Sequence, residues 1–198
     1  MVKSIVNTVG TKFLSALFNF LILLLTANYM GTEGRGQISL IIATLTIALL
    51  FANFVGGNTL VYLTPRKPVQ ELLLLSYFWT LLCSLISWVI LYFTHAFDVQ
   101  TCIHLAILAL LFSFTSIHIS ILYGKERIDL ANKISLFQVI LQFFLLAFFF
   151  LVVNKQSLIF FISSLYITYG LALVYNAFHL KEYFKTPFHF NLRGTLVM

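Results

Sequence analysis

The sequence predicts an all-α polytopic membrane protein with six transmembrane helices. Three observations carry that prediction: only 9% of the 198 residues are charged, the mean hydropathy is +0.99, and six uncharged stretches are each long enough to cross a bilayer. The hydrocarbon core asks for about 20 helical residues at ~1.5 Å each. A water-soluble core of the same size would need charge on its outer faces, which this composition lacks.

The first stretch, Phe13 to Met30, follows a short basic region. A cleavable signal would want small residues at the −3 and −1 positions. The exit from this run is Leu25-Thr26-Ala27, with a bulky leucine at the −3 place, so it reads as a retained first helix. Between it and the second stretch, Gly36 to Pro65, the segment Asn28 to Gln37 contains Gly31, Gly34 and Gly36. Glycines tolerate positive φ, so a tight outer loop joining adjacent antiparallel helices is expected. Within it Arg35 either pairs with Glu33 or contacts an external phosphate or sugar acid. Gly56-Gly57-Asn58 weakens the second helix about two turns before Pro65 ends it, either as a packing pair or as a break whose free carbonyls bind polar substrate. Leu72 to Phe97, Val99 to Gly124, Ile134 to Asn154 and Gln156 to Leu180 complete the set. Residues 1–180 form the transmembrane unit, and residues 181–198 form a cytoplasmic amphipathic tail or the lead into a further helix.

The connecting charges set the orientation. Lys3, Lys12, Arg66, Lys67, Lys125, Arg127, Lys133, Lys181, Lys185 and Arg193 fall on one side of a six-span topology, whereas Arg35 and Lys155 fall on the other. Basic residues concentrate on cytoplasmic loops, so both termini are expected in the cytoplasm. The net charge of +6 is thereby explained by topology and gives no reason to expect a nucleic-acid partner.

Inside the stretches the polar residues form stripes at helical spacing. Lys12, Ser15, Asn19 and Thr26 share one face, Thr46, Asn53 and Gly57 a second, and Ser135, Gln138 and Gln142 a third. Amides are costly in hydrocarbon without partners, so these faces are expected to look into the bundle. Two readings stay open for Asn19, Asn53, Gln138 and Gln142: they line a hydrated cavity, or they zip helices together at about 0.6–2 kcal/mol per bond. For Ser76, Thr80, Cys83, Ser87, Ser113, Ser116 and Ser120 helix packing is the expected role.

All six carboxylates, Glu33, Glu71, Asp98, Glu126, Asp129 and Glu182, lie at helix ends or in loops. An ion-coupled pump usually needs an ionisable or anionic group near the midplane. Lys12 is the cation drawn toward a span, where it either snorkels to headgroups or offers an anionic substrate a contact. His118 lies deep in a span without a nucleophile or metal cluster, and helix-helix hydrogen bonding is its expected role. His95 and His104 flank an outer connection. Cys83 and Cys102 have neither metal spacing nor an obvious pairing. No phosphate loop or metalloprotease pattern occurs, so neither catalysis nor a cofactor is expected.

Tyr29-Met-Gly-Thr-Glu-Gly-Arg-Gly-Gln-Ile-Ser-Leu40, after a helix opening with Val9-Gly-Thr-Lys-Phe13, resembles the polysaccharide biosynthesis proteins of the oligosaccharide flippase type. Gly56-Gly-Asn-Thr-Leu-Val-Tyr62 and the turn Pro65-Arg-Lys-Pro68 add to the likeness to that branch of the multidrug/oligosaccharidyl-lipid/polysaccharide exporter superfamily. The resemblance implies one lobe of a two-lobe transporter, here the N-terminal half. Its partners would be undecaprenyl-diphosphate-linked glycans, membrane lipids, and a second six-helix lobe in cis or in trans. It implies the bacterial inner membrane and a transport function by alternating access, with Lys12, Asn19, Arg35, Asn53, Asn58, Gln138 and Gln142 as candidate substrate-binding residues. A truncated or split gene product is the expected reason for a single lobe. A multidrug or cation antiporter half and a non-transport membrane scaffold subunit are the competing functions.

Overall fold

The structure is a computed structural model that describes residues 2–95, 97–154, 156–181 and 183. The predicted tail beyond Tyr183, with Lys185 and Arg193, lies outside the described residues, as do Lys155 and Glu182. The elements are α1 (Val2–Ala52), α2 (Gly57–Leu63), α3 (Val69–Thr94), α4 (Val99–Gly124), α5 (Ile128–Ala147) with a π-helical extension (Phe148–Val152), and α6 (Leu158–Leu180).

Five long apolar helices, not six, are long enough to cross a membrane, and this corrects the predicted fold class. The predicted first two spans belong to one apolar helical segment, Asn7–Leu63. Asn28 to Gln37 is not a loop: it is helical on both sides of Gly31, where φ is 68° and ψ −171°. That backbone region is essentially confined to glycine. One residue therefore does what a ten-residue loop was expected to do, and Gly34 and Gly36 stay helical.

The two arms of α1 double back at Gly31. Asn7 Nδ2 donates to the Asp129 carboxylate at 2.8 Å, and Asn132 Nδ2 donates to Thr8 Oγ1 at 2.9 Å, so the helix starts beside the start of α5. Tyr29 meets Phe150 near the other end of α5, with ring centroids 6.0 Å apart. The chain then returns, because Thr64 just beyond α2 packs against Gly124 at the end of α4. A straight 51-residue helix would be about 76 Å long, far beyond the ~30 Å hydrocarbon core, and the reversal removes that conflict.

Buried apolar side chains form two clusters. Ile22, Ile38, Ile41 and Leu45 from both arms of α1 meet Leu105, Leu108, Leu146 and Phe161 nearer the Gly31 end. Leu60, Leu72, Ile117, Ile121, Ala131 and Leu180 meet nearer the α4–α5 turn. Helix α4 serves both clusters and touches every other helix of the fold. Outside, Phe13, Phe20, Phe93, Val152 and Phe178 are exposed, a surface suited to lipid. The second helix is interrupted just before the expected Gly56-Gly57-Asn58 weakening: α1 ends at Ala52 and Gly57, with φ 54°, opens α2. His95 and Asn154, also at positive φ, terminate α3 and the π-helical extension.

Two stability predictions follow from the glycines. Gly31→Ala should destabilise the protein by about 1–3 kcal/mol because alanine resists this backbone conformation. Gly124→Ala should do likewise, since a Cβ there would lie 2.6 Å from Thr64 Cβ and 2.9 Å from the Val61 carbonyl oxygen. Gly10, with open space around it in the same helix as Gly31, should tolerate alanine or gain up to ~1 kcal/mol. Thermal unfolding of the three variants in one detergent checks the order.

The α4 cap supplies a pH prediction. Asp98 accepts from the Thr101 hydroxyl at 2.6 Å and the Thr101 amide at 3.0 Å, and these bonds, the hydroxyl first, hold its carboxyl below the usual carboxylate range. A depressed folded pKa means that the cap is fully formed above the ordinary value of about 3.9 and is lost as pH falls through the depressed one. Amide exchange in the first turn of α4 should be faster in Asp98→Ala than in wild type at pH 7, and the two should converge only in strong acid.

Candidate functional site

Polar side chains gather along α4, the helix that lipid reaches least. On its α3 side, the Tyr77 hydroxyl and His118 Nε2 form a short hydrogen bond, with the Tyr77 ring also against Phe114 at 4.6 Å. Ser84 Oγ donates to the Ala106 carbonyl at 2.8 Å, tying the same two helices one level further on. Toward α1, Ser116 Oγ donates to Asn53 Oδ1 at 3.2 Å. Toward α5, the Tyr123 hydroxyl donates to Asn132 Oδ1 at 3.1 Å, and Asn132 in turn holds Thr8. Toward α6, the Tyr166 hydroxyl donates to the His104 carbonyl at 3.2 Å and also meets His104 Nδ1 at 3.1 Å. His104 is thus engaged with α6, and His95 with the Tyr92 ring.

Several interior groups remain without a hydrogen-bond partner among the described residues: Ser76 Oγ, His118 Nδ1, Gln138 Nε2, Thr168 Oγ1 and both amide atoms of Asn176. Their depths can be compared through ring contacts. Phe112 stacks on Tyr169 with centroids 3.6 Å apart, and α4 and α6 run in the same direction. His118 lies about 9 Å beyond Phe112 and Asn176 about 10 Å beyond Tyr169, which brings the two to one level. When Tyr77 donates to Nε2, the neutral imidazole carries its proton on Nδ1, a donor directed into the bundle. Buried amides and hydroxyls of this kind hold polar guests such as water, since hydrocarbon offers them nothing.

The seven predicted site residues do not converge. Gln138 is buried, Gln142 half-buried, and both belong to α5. Asn53 is half-buried and engaged by Ser116. Arg35 is half-buried and its guanidinium donates to Thr26 Oγ1 at 3.2 Å, bracing the two arms of α1 across Gly31. Lys12, Asn19 and Asn58 are exposed. The expectation that all three polar stripes face inward therefore fails on the first arm of α1, where of its stripe Thr26 alone is fully buried, and in part on the second, where Thr46 is exposed and Asn53 and Gly57 are half-buried.

Tyr77, Ser84, Asn132, Thr168 and Asn176 are among the interior polar residues that sequence reasoning missed. Thr168 and Asn176, with Ala172 between them, lie at spacings of four on one face of α6, and all three are fully buried. The wheel that exposed the other stripes would have shown this one. Asn132 precedes the predicted start of its span at Ile134 and was passed over because α5 begins earlier, at Ile128. No group of three or more metal-binding side chains is found among the described residues.

Comparison with protein-family models, with curated proteins and with solved structures finds no match to this chain. What the fold itself gives is a polytopic all-α membrane protein.

Tyr77→Phe should destabilise the protein by about 1–3 kcal/mol, because it takes from buried His118 Nε2 its hydrogen-bond partner. Adding His118→Leu should recover part of that loss, since removing both partners deletes the unmet need. A double-mutant cycle from thermal unfolding measures the coupling.

Proposed function

We propose that this chain is one lobe of a bacterial inner-membrane transporter that moves lipid-linked oligosaccharide or polysaccharide precursors between leaflets. The observation that carries the proposal is the exposure of Asn19 in the middle of an apolar helix. Asn19 lies about 18 Å along the helix from Asn7, at the α5 start, and about 18 Å from Gly31 at the reversal. It therefore sits at mid-depth on the outside of the bundle, with half-buried Ser15 and exposed Lys12 on the same face. An amide at that depth is costly against lipid tails. A hydrated cavity closed by a second lobe, in the same polypeptide or another, relieves that cost, and cavities between lobes are where transporters bind substrate.

Charge supports the direction. Asn7, Thr64, the α4–α5 turn and Tyr183 share one end of the bundle, and Lys67, Lys125, Arg127 and Lys181 cluster around it. Arg35 lies at the opposite end, near Gly31. We place the basic end in the cytoplasm, with both termini there. Lys12, nearer that end than Asn19, suits the diphosphate of an undecaprenyl-linked glycan entering from the cytoplasmic leaflet.

A scaffold subunit is the second reading, favoured by the internal bonds that tie the Asn53 and Asn132 amides to neighbouring helices. Cysteine labelling separates the two. In a background lacking Cys83 and Cys102, Asn19→Cys in the assembled protein should react with a water-soluble thiol reagent, and Gln138→Cys should react far more slowly. Reconstituted with its second lobe, the protein should carry lipid-diphosphate glycan across liposomes, and Lys12→Glu should slow that passage about tenfold or more. Protection of Asn19→Cys together with absence of protein-dependent passage would leave the scaffold.

A further inference from the structure

A groove of about 600 Å³ opens between α5 and α6 on the outside of the bundle. Ile134 and Phe137 of α5 and Leu171, Val174 and Phe178 of α6 form its walls, and Lys133 lines it as well. Its volume falls in the range of sites that hold a small ligand. The walls are almost entirely apolar and run about 10 Å along the helices, which suits a section of acyl chain and gives a polypeptide little to hydrogen-bond.

The charged side chains described on its lining and against its walls, Lys133 and Lys181, are both basic. Lys133 lies little more than one turn into α5, close to the basic end of the bundle. Lys181, just past the end of α6, holds its ammonium 3.7 Å from the Phe178 ring centroid, at the same end of the groove. His179 packs against Tyr175, which also lines the groove, with ring centroids 4.7 Å apart. Among the described residues no carboxylate lines the groove. Asp129, one turn before Lys133, already accepts a hydrogen bond from Asn7.

We propose that this groove is a binding site for an anionic phospholipid of the leaflet at the basic end, with one acyl chain between α5 and α6 and the phosphate held by Lys133 and Lys181. The apolar section gives the site its place, and the two ammonium groups give it headgroup selectivity, each contributing through attraction at the membrane surface. The proposal does not depend on transport, since the groove is lined by α5 and α6 and by none of Lys12, Ser15 and Asn19.

Native mass spectrometry of the protein released from nanodiscs of equal phosphatidylglycerol and phosphatidylcholine tests it. Phosphatidylglycerol should be retained about tenfold in preference, a size expected for two surface ammonium groups. Lys133→Gln with Lys181→Gln should abolish the preference, and Lys125→Gln with Arg127→Gln should leave it intact. In the otherwise wild-type protein, a photo-crosslinking residue at Val174 should capture phosphatidylglycerol, a readout that does not depend on how the lysine variants fold. Equal retention of the two lipids, a preference that survives the double lysine variant, or crosslinks at position 174 to residues 184–198 or to a second copy would each overturn the proposal. So would a polyprenyl diphosphate displacing phosphatidylglycerol through the same two lysines.

Discussion

Helix α4 carries serine, threonine and histidine side chains into a region that neither bulk water nor lipid can solvate, and the other helices are arranged to answer them. Tyr77 on α3 meets His118, Asn53 after α1 meets Ser116, Asn132 on α5 meets Tyr123, and Tyr166 on α6 meets His104. Each contact is individually modest, at about 0.6–2 kcal/mol in membrane proteins. Together they fix which face of each neighbour turns inward, something that leucine and phenylalanine, equally content against lipid or protein, cannot do. The apolar clusters then fill the spaces left between these polar ties.

The reversal at Gly31 is the second condition of the fold. Because a single residue turns the chain, the two arms of α1 begin their antiparallel course almost immediately. Ile22 on one arm and Ile38, Ile41 and Leu45 on the other can then join a single cluster with α4. Arg35 reaches back across the turn to Thr26, whose hydroxyl also bonds the Ile22 carbonyl, so the guanidinium ends in the protein rather than in headgroups. The same arrangement leaves Lys12, Ser15 and Asn19 on the outer side of the first arm. An interior already supplied with polar residues by α4 and a polar stripe outside it are different things physically. The first holds the bundle together, and the second asks for water or a partner surface.

Asymmetry also appears between the two ends. The α4–α5 turn, the end of α6 and the turn after α2 bring Lys67, Lys125, Arg127 and Lys181 together, with Lys125 over the Tyr183 ring and Lys181 over Phe178. Lysine side chains that lie along aromatic faces keep their methylenes in apolar surroundings and their charge toward phosphate. The groove between α5 and α6 opens beside this basic end, and the lipid proposal rests on that proximity.

The sequence by itself determined the membrane class, the helical character and the interruption near Gly56 and Gly57, because these depend on composition and on residues near in the chain. Of the seven residues it marked for packing, Ser76, Thr80, Cys83, Ser113 and Ser120 are buried, whereas Ser87 and Ser116 are half-buried. Only the tertiary structure decided that Gly31 alone makes the reversal, so that a predicted loop is helix and six predicted spans become five long apolar helices. A count of glycines shows where φ can turn positive, not which residue does so. Tertiary structure likewise put Gln138 inside and Asn19 outside, although both sit in polar stripes. Periodicity shows that a helix has two faces; which of them meets α4 is settled by partners such as Asn132 and Thr8, 124 residues apart in the chain.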